Sequence, residues 1–396
     1  MLDIWLITLL INLRVYYFHD LNENDVIATL QHNDRISEVR VQNFDKDSFK
    51  RLVASMHVPF PVLTDLSLAN CNFTSPPLPD SFLGGSAPGL RLLYLHGIAA
   101  LGLPNLLLSA TCLIHLRLDD IPHFGPGYIS PYVMADCLSS LTRLEHLRIT
   151  FTYQPHPYQT SLRPPLLKRT ILPKLTYLFF KGMNEYLEVL FNWIETPLHK
   201  DIHLEFFNPV NFDISQISWF IGREELTTEE VDGANMRFND DLLEVTLISR
   251  KEVTGGTSPK LSVKCGDSAW QLQSLSHWWR SPSPFLPSLG LIDLTEYASG
   301  CSPPWTRNME KARWLEFLHL FAAVENLYLS EELVRCIALT LRDLAAREGG
   351  AVTVLPALKC LFIRLIQRPF HTRTSPGHHR RVHRCERICR TPCHFG

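Results

Sequence analysis

The sequence predicts an α/β solenoid, with parallel strands on a concave face and helices on a convex one. Three observations predict it. A short aliphatic pattern recurs along most of the chain, prolines stand at a fixed offset ahead of many copies, and between copies the apolar spacing changes from strand-like to helix-like. The composition permits such a body: of 396 residues, 45% are hydrophobic and 20% charged. With 38 Lys+Arg against 40 Asp+Glu the net charge is −2, which argues against a specific nucleic-acid binder needing a basic field. No apolar run approaches the roughly 20 residues that span a bilayer, so no membrane partner is expected.

Residues 1–20 read as an N-terminal apolar strand or cap. Met1–Leu13 is apolar, but Asp3 stands where a signal peptide carries Lys or Arg, and no small-residue cleavage site follows; a buried first strand is the expectation. Residues 21–208 read as a regular leucine-rich-repeat-like array. The pattern aliphatic-x-x-aliphatic-x-aliphatic fits Ile36/Val39/Val41, Leu63/Leu66/Leu68, Leu90/Leu93/Leu95, Leu113/Leu116/Leu118, Leu144/Leu147/Ile149 and Leu175/Leu178/Phe180. These copies step by 27, 27, 23, 31 and 31 residues. Each step holds one strand and one return helix, as parallel pairing requires. Pro61, Pro88 and Pro173 stand two residues ahead of their copies, as Pro287 and Pro356 do further on, with Pro284 overlapping. Proline ends a helix and turns the chain toward extended conformations.

Between the strands lie helical stripes. Phe49, Leu52, Val53 and Met56 share a face, as do Met134, Cys137, Leu138 and Leu141 behind a Ser130 cap with Pro131 in the first turn. Leu187, Leu190, Phe191 and Ile194 form a third stripe, and Asn24 is placed to cap a helix running to His32. Residues 209–284 are expected to be an irregular insertion or hinge, with clustered acids at Glu224, Glu225, Glu229 and Glu230 and turn residues at Gly255-Gly256. Residues 285–368 resume the repeats at Leu289/Ile292/Leu294, Val324/Leu327/Leu329 and Leu358/Leu361/Ile363; Leu242/Val245/Leu247 also fits. A helix carrying Leu333, Cys336, Ile337, Leu341 and Leu344 is expected behind Ser330. Residues 369–396 read as a basic disordered tail: from His371 on, six Arg face the single Glu386, a net of +5.

The phrases HNDRI (His32–Ile36), PFPVLTDLSL (Pro59–Leu68), the Leu-Thr-x-Leu-x-x-Leu of Leu141–Leu147 and LPKLTYLFFKG (Leu172–Gly182) resemble the leucine-rich regions of the large F-box protein families of fungi, over about residues 20–365. The resemblance implies that the repeats select a protein target for a cullin-type ubiquitin ligase, and that an F-box docks a Skp1-type adaptor. Only some 20 residues precede the pattern. Adaptor recruitment is therefore expected only if an F-box is supplied upstream.

Nothing in the residues encodes a reaction. G-x-x-x-x-G-K-[ST] and H-E-x-x-H are absent, and Gly84-Gly85-Ser86 lacks the second flanking glycine of a nucleophile elbow. His203 and Glu205 are two apart with no third group, and Asp119-Asp120 and Asp240-Asp241 read as strand ends or turn starts. The tail's C-x3-C-x3-C-H spacing does not match a zinc site. The chain is expected to be a non-enzyme without cofactor or metal. Seven scattered single cysteines suit a reducing compartment, cytoplasmic or nuclear. An α/β hydrolase is the alternative from another class and would need a Ser/His/Asp cluster; a truncated or decayed paralogue without a partner is the other.

Strand alternation fixes the candidate site. If Leu66 and Leu68 point inward, the outward column reads Ser67, Tyr94, Arg117, Arg148 and Phe179, flanked by His115, His146 and Tyr177. Aromatic residues and Arg carry much interface energy, so Tyr94, His115, Arg117, His146, Arg148, Tyr177 and Phe179 are the expected contacts for a protein target. Adjacent Arg117 and Arg148 favour an acidic or phosphorylated ligand.

Overall fold

The computed structural model describes residues 9–16, 23–70, 77–99, 101–122, 127–152, 169–196, 201–207, 231–239, 242–249, 260–264, 271–273, 275–276, 289–296, 311–334, 337, 354–365 and 384–389. It is an α/β protein, and the chain divides into two compact units, Met1–Leu204 and Glu205–Gly396.

In the first unit the strands are β1 (Ile11–Val15), β2 (Ile36–Gln42), β3 (Asp65–Ala69), β4 (Leu92–His96), β5 (His115–Ile121), β6 (His146–Phe151) and β8 (Tyr177–Gly182), with β10 (Asp201–Phe206) at the boundary. They lie side by side in chain order, apart from a separate short pair of β7 (Thr170–Ile171) and β9 (Ile194–Glu195). Every registered pair from β1 to β8 is parallel. Val39, Leu66, Leu93, Leu116, Leu147 and Leu178 form one ladder, as the alternation requires. All are buried, each contributing about 1.5–3 kcal/mol by leaving water.

From Leu63 to Leu175 the repeats start with one geometry. The first aliphatic residue donates its N–H to the carbonyl three residues earlier: Leu63 to Phe60, Leu90 to Ala87, Leu113 to Ala110, Leu144 to Leu141, Leu175 to Leu172. Pro61, Pro88 and Pro173 therefore occupy the second position of a β-turn, where their fixed φ is already correct. One carbonyl then accepts the N–H of the residue just before the next strand and that of the strand's first residue. Thr64 takes Arg91 and Leu92, Arg91 takes Ile114 and His115, Ile114 takes Glu145 and His146, and Glu145 takes Thr176 and Tyr177.

The helices are α1 (Glu23–Leu30), α2 (Lys46–Ser55), α3 (Leu103–Ser109), α4 (Pro131–Ser139) and α5 (Asn184–Trp193). Neighbouring helices pack on one another, α1 on α2 and α3 on α4 on α5. Tyr186 of α5 lies against Phe180, in the same alternation as Leu178. Ser130 caps α4 through the Val133 N–H with Pro131 in its first turn, as expected. Asp45 caps α2, accepting from Asp47 and Ser48, while Phe44 stacks on Phe49 at 4.7 Å as a hydrophobic staple. Helix α1 begins at Glu23, so Asn24 lies inside it rather than at its cap. Of the expected buried first strand, residues 1–8 lie outside the described residues; β1 lies at the sheet edge, only Val15 in it is buried, and Leu9 and Leu10 are 58% and 63% exposed.

In the second unit β11 (Val231–Phe238), β14 (Leu291–Glu296), β15 (Asn326–Ser330) and β16 (Cys360–Leu365) pair in parallel. The repeat turn returns at Phe321–Val324 and at Leu355–Leu358, where Pro356 again stands second. Helix α6 (Lys311–Leu318) buries Trp314 and Phe317. Leu333 and Ile337 are buried; Cys336, Leu341 and Leu344 fall outside the described residues.

Within 209–284, β11, β12 (Leu242–Ser249) and β13 (Lys260–Lys264) form antiparallel pairs. Only three residues separate β11 from β12, too few for the crossover that parallel pairing needs. Of the stretch expected to be a disordered tail, Arg384–Cys389 form β17, antiparallel to β16.

Candidate functional site

The ladder that buries Leu66 and Leu93 sends the alternate residues to the opposite face, in three rows across the strands. The first row runs Asn12, Glu38, Asp65, Leu92, His115, His146, Tyr177, and the second Arg14, Arg40, Ser67, Tyr94, Arg117, Arg148, Phe179. The third holds Gln42, Ala69, His96 and Asp119, with Thr150 beside Lys181. All seven expected contact residues therefore lie in two adjacent rows, side by side across β4 to β8.

Their side chains form a layered stack. His115 and His146 lie face to face with ring centres 4.5 Å apart, and Tyr177 follows His146 at 5.6 Å. The Arg117 guanidinium stands 4.5 Å from the centre of the Tyr94 ring, and that of Arg148 stands 3.8 Å from Phe179. Parallel register places each cation over an aromatic neighbour one strand away, where ring quadrupole and charge attract.

Asp119 organises the centre. Its carboxylate accepts from Arg148 Nε at 2.7 Å, from Arg117 Nε, and from the Thr150 hydroxyl at 3.4 Å. Asp119 is only 4% exposed, so its charge is tolerated because both guanidiniums and the hydroxyl replace its water. Asp119-Asp120 stands at the end of β5, which closes one residue later at Ile121, with a register shift after Leu118 and a left-handed Asp120 at φ 52°; Asp240-Asp241 lies outside the described residues. Asp120 donates its N–H to Thr150 Oγ1 at 2.7 Å, and its carboxylate sits 3.5 Å from His96 Nδ1. The two arginines and Asp119 together carry one net positive charge, less than Arg117 and Arg148 alone imply.

Not every outward residue is exposed. Phe179 is buried under Arg148 and beside His203, whose ring centre is 4.6 Å away. Ser67 and Ala69 are buried as well, being short side chains between long neighbours. Arg117 remains half exposed and Arg148 about a third. Burial pushes the Tyr94 hydroxyl upward in pKa; burial, then the neighbouring His146, pushes His115 below its ordinary value.

At the β1 edge Glu38 plays a part like that of Asp119. Arg14 donates to its two oxygens at 3.0 and 2.6 Å, Arg40 pairs with it too, and these bonds hold its carboxyl below the usual range. In the second unit the row Asn235, Asp293, Tyr328, Phe362 repeats the theme. Tyr328 and Phe362 stack at 4.3 Å, and Arg364 reaches buried Asp293 at 2.8 Å and the Tyr328 ring at 5.3 Å.

Sequence reading left Asp119, Glu38 and His203 out of the expected contacts. The signal for Asp119 was available: it is two residues beyond Arg117 in the same alternation, beside Arg148 of the next repeat. Gly84 and Gly85 close a short 3-10 turn of Phe82–Gly85 rather than a strand-to-helix elbow. Among the described residues no group of three or more His, Cys, Asp and Glu is placed to hold a metal ion. Nor is any helix among them long and apolar enough to cross a membrane.

Compared with known proteins, the chain matches no family model and no curated protein.

Proposed function

We propose that the chain is a non-enzymatic protein-binding module, a leucine-rich-repeat-like solenoid whose open strand face takes a protein target. The observation that carries this reading is the stacked set Tyr94–Arg117 and Arg148–Phe179 beside His115–His146–Tyr177, on the sheet face opposite the buried leucine ladder. Rings and guanidiniums already held in place lose little freedom on binding, which favours them as anchors. The first unit's strands, laid down in chain order, and the turn common to both units support repeated units. The role is that of a target-recognition region like those of F-box substrate receptors, working in the cytoplasm or nucleus, with a Skp1-type adaptor engaged only if an F-box is supplied upstream.

The test is affinity capture with the full chain, comparing wild type with Tyr94→Ala and Arg148→Ala after circular dichroism confirms folding. Loss of the same captured protein from both variants supports the reading. Retention of every partner by both overturns it. Co-purification of this chain with the adaptor would show that recruitment needs no upstream module.

A further inference from the structure

The two arginines of the central row are held in a particular way. Both spend Nε on Asp119, and both lay the guanidinium against a ring, Arg117 on Tyr94 and Arg148 on Phe179. Asp119 is buried, fixed by Thr150, and set on the strand beside Arg148. These contacts fix the position and plane of each guanidinium, and among the described residues the terminal Nη groups have no hydrogen-bond partner. The side chains stay 50% and 30% exposed on the open face. A guanidinium pinned at Nε presents its Nη donors in the fork geometry that a carboxylate accepts.

We propose that Arg117 and Arg148 form a preorganised clamp for a carboxylate, and that its occupant is an Asp or Glu side chain of an acidic segment in the protein target. This rests on the reading of the open face as a binding surface and names the chemistry it recognises. Charge complementarity selects the occupant. Two guanidiniums and Asp119 leave one net positive charge, which a single carboxylate neutralises and a phosphate dianion exceeds. The flanking surface favours a segment of mixed character: Tyr94 in the clamp's own row, and Leu92 and Tyr177 in the row two residues away along the strands, provide apolar area beside it. Asp119 is a positioning residue, since it touches the arginines and not the occupant.

The experiment uses the full chain and a fluorescein-labelled decapeptide of alternating Glu and Leu, read by anisotropy at low salt, with its Gln-for-Glu counterpart and inorganic phosphate as competitor. The acidic peptide binds at least tenfold more tightly than the Gln peptide. Arg148→Lys and Arg117→Lys, which keep the charge but lose the fork, each weaken it at least fivefold. Asp119→Asn raises the positive charge of the face, so simple attraction would tighten binding; loss of the pinned geometry weakens it instead. If Asp119→Asn fails to fold, the two lysine variants decide the matter. Equal binding of the two peptides, binding of neither, unchanged affinity in both lysine variants, or displacement by phosphate at equimolar peptide overturns the clamp. Should target capture still depend on Tyr94 while the acidic peptide fails, the binding surface stands and the carboxylate assignment falls.

Discussion

Arg148 lies with its guanidinium carbon 3.8 Å from the centre of the Phe179 ring, across the β6–β8 pair, and in doing so covers a phenylalanine that strand alternation sends toward solvent. The contact joins two effects. The ring leaves water beneath a hydrocarbon stem, and the cation keeps an electrostatic partner without giving up Asp119. A double-mutant cycle of Arg148→Ala and Phe179→Leu should give a coupling of about 0.5–1 kcal/mol in urea unfolding. The equivalent cycle of Arg117→Ala and Tyr94→Leu should give less, because that pair is 4.5 Å apart and Arg117 is more exposed. Equal couplings, or the reverse order, would remove ring stacking as the reason for Phe179's burial.

The stacked histidines make a pH prediction with a definite sign. Burial, then His146, lowers the His115 pKa from its ordinary 6.5, with Arg91 also lowering it and Glu145 and Asp65 opposing. The folded chain then holds this proton less readily than the unfolded chain. The stability tied to His115 is therefore whole above pH 6.5 and is lost as pH falls through the folded value. In an NMR titration His115 should have its midpoint below 6.5, and His146→Ala should move it upward. An unchanged midpoint in that variant would show that the neighbouring imidazole exerts no effect.

Gly97 leaves β4 with φ at +66°, and its N–H donates to the Asp119 carbonyl at 2.9 Å. A Cβ there would overlap the Asn70 carbonyl oxygen of the preceding repeat. Gly97→Ala should therefore cost about 2–3 kcal/mol, combining left-handed strain with displaced backbone. Gly89→Ala is the control. Its φ is ordinary, and the nearest atom to a new Cβ is the Leu63 carbonyl at 3.5 Å. That variant should stay within about 0.5 kcal/mol of wild type or gain slightly. Similar losses in both would mean that the turn after β4 is not built as described.

What the sequence made legible, and what it did not, follows from the range of the forces involved. Leucine alternation alone put Leu66, Leu93, Leu116, Leu147 and Leu178 in one ladder, because a one-residue slip would turn every apolar side chain outward. The same arithmetic put Tyr94, Arg117, Arg148 and Phe179 in one row. Exposure was another matter, since it depends on neighbours one strand away: Arg148 and His203 cover Phe179, and long side chains shelter Ser67. Asp119 looked like a turn residue because Asp-Asp pairs are common at strand ends, and only the register reveals two guanidiniums converging on it. The stretch 209–284 escaped because antiparallel pairs carry no helical stripe to announce them.

The proline offset supplies a prediction that reaches into the second unit. Pro61, Pro88, Pro173 and Pro356 all stand second in turns closed by the N–H of the fourth residue, onto the carbonyls of Phe60, Ala87, Leu172 and Leu355. The turn Phe321–Val324 has the same closure, 3.3 Å from the Val324 nitrogen to the Phe321 carbonyl, but places exposed Ala322 where the others have proline. If the four proline turns and this one share a backbone, proline at 322 fits without strain and removes freedom only from the unfolded chain. Ala322→Pro should then stabilise by about 0.4–1 kcal/mol, seen as a raised melting temperature and urea midpoint with an unchanged denaturant slope. Asp34→Pro gives the contrast, since it puts proline directly before Arg35, whose N–H closes a turn onto the His32 carbonyl at 3.0 Å with no proline precedent at that offset. A loss of stability on Ala322→Pro would mean that the turn before β15 differs from its counterparts, and with it the equivalence of the repeats in the two units.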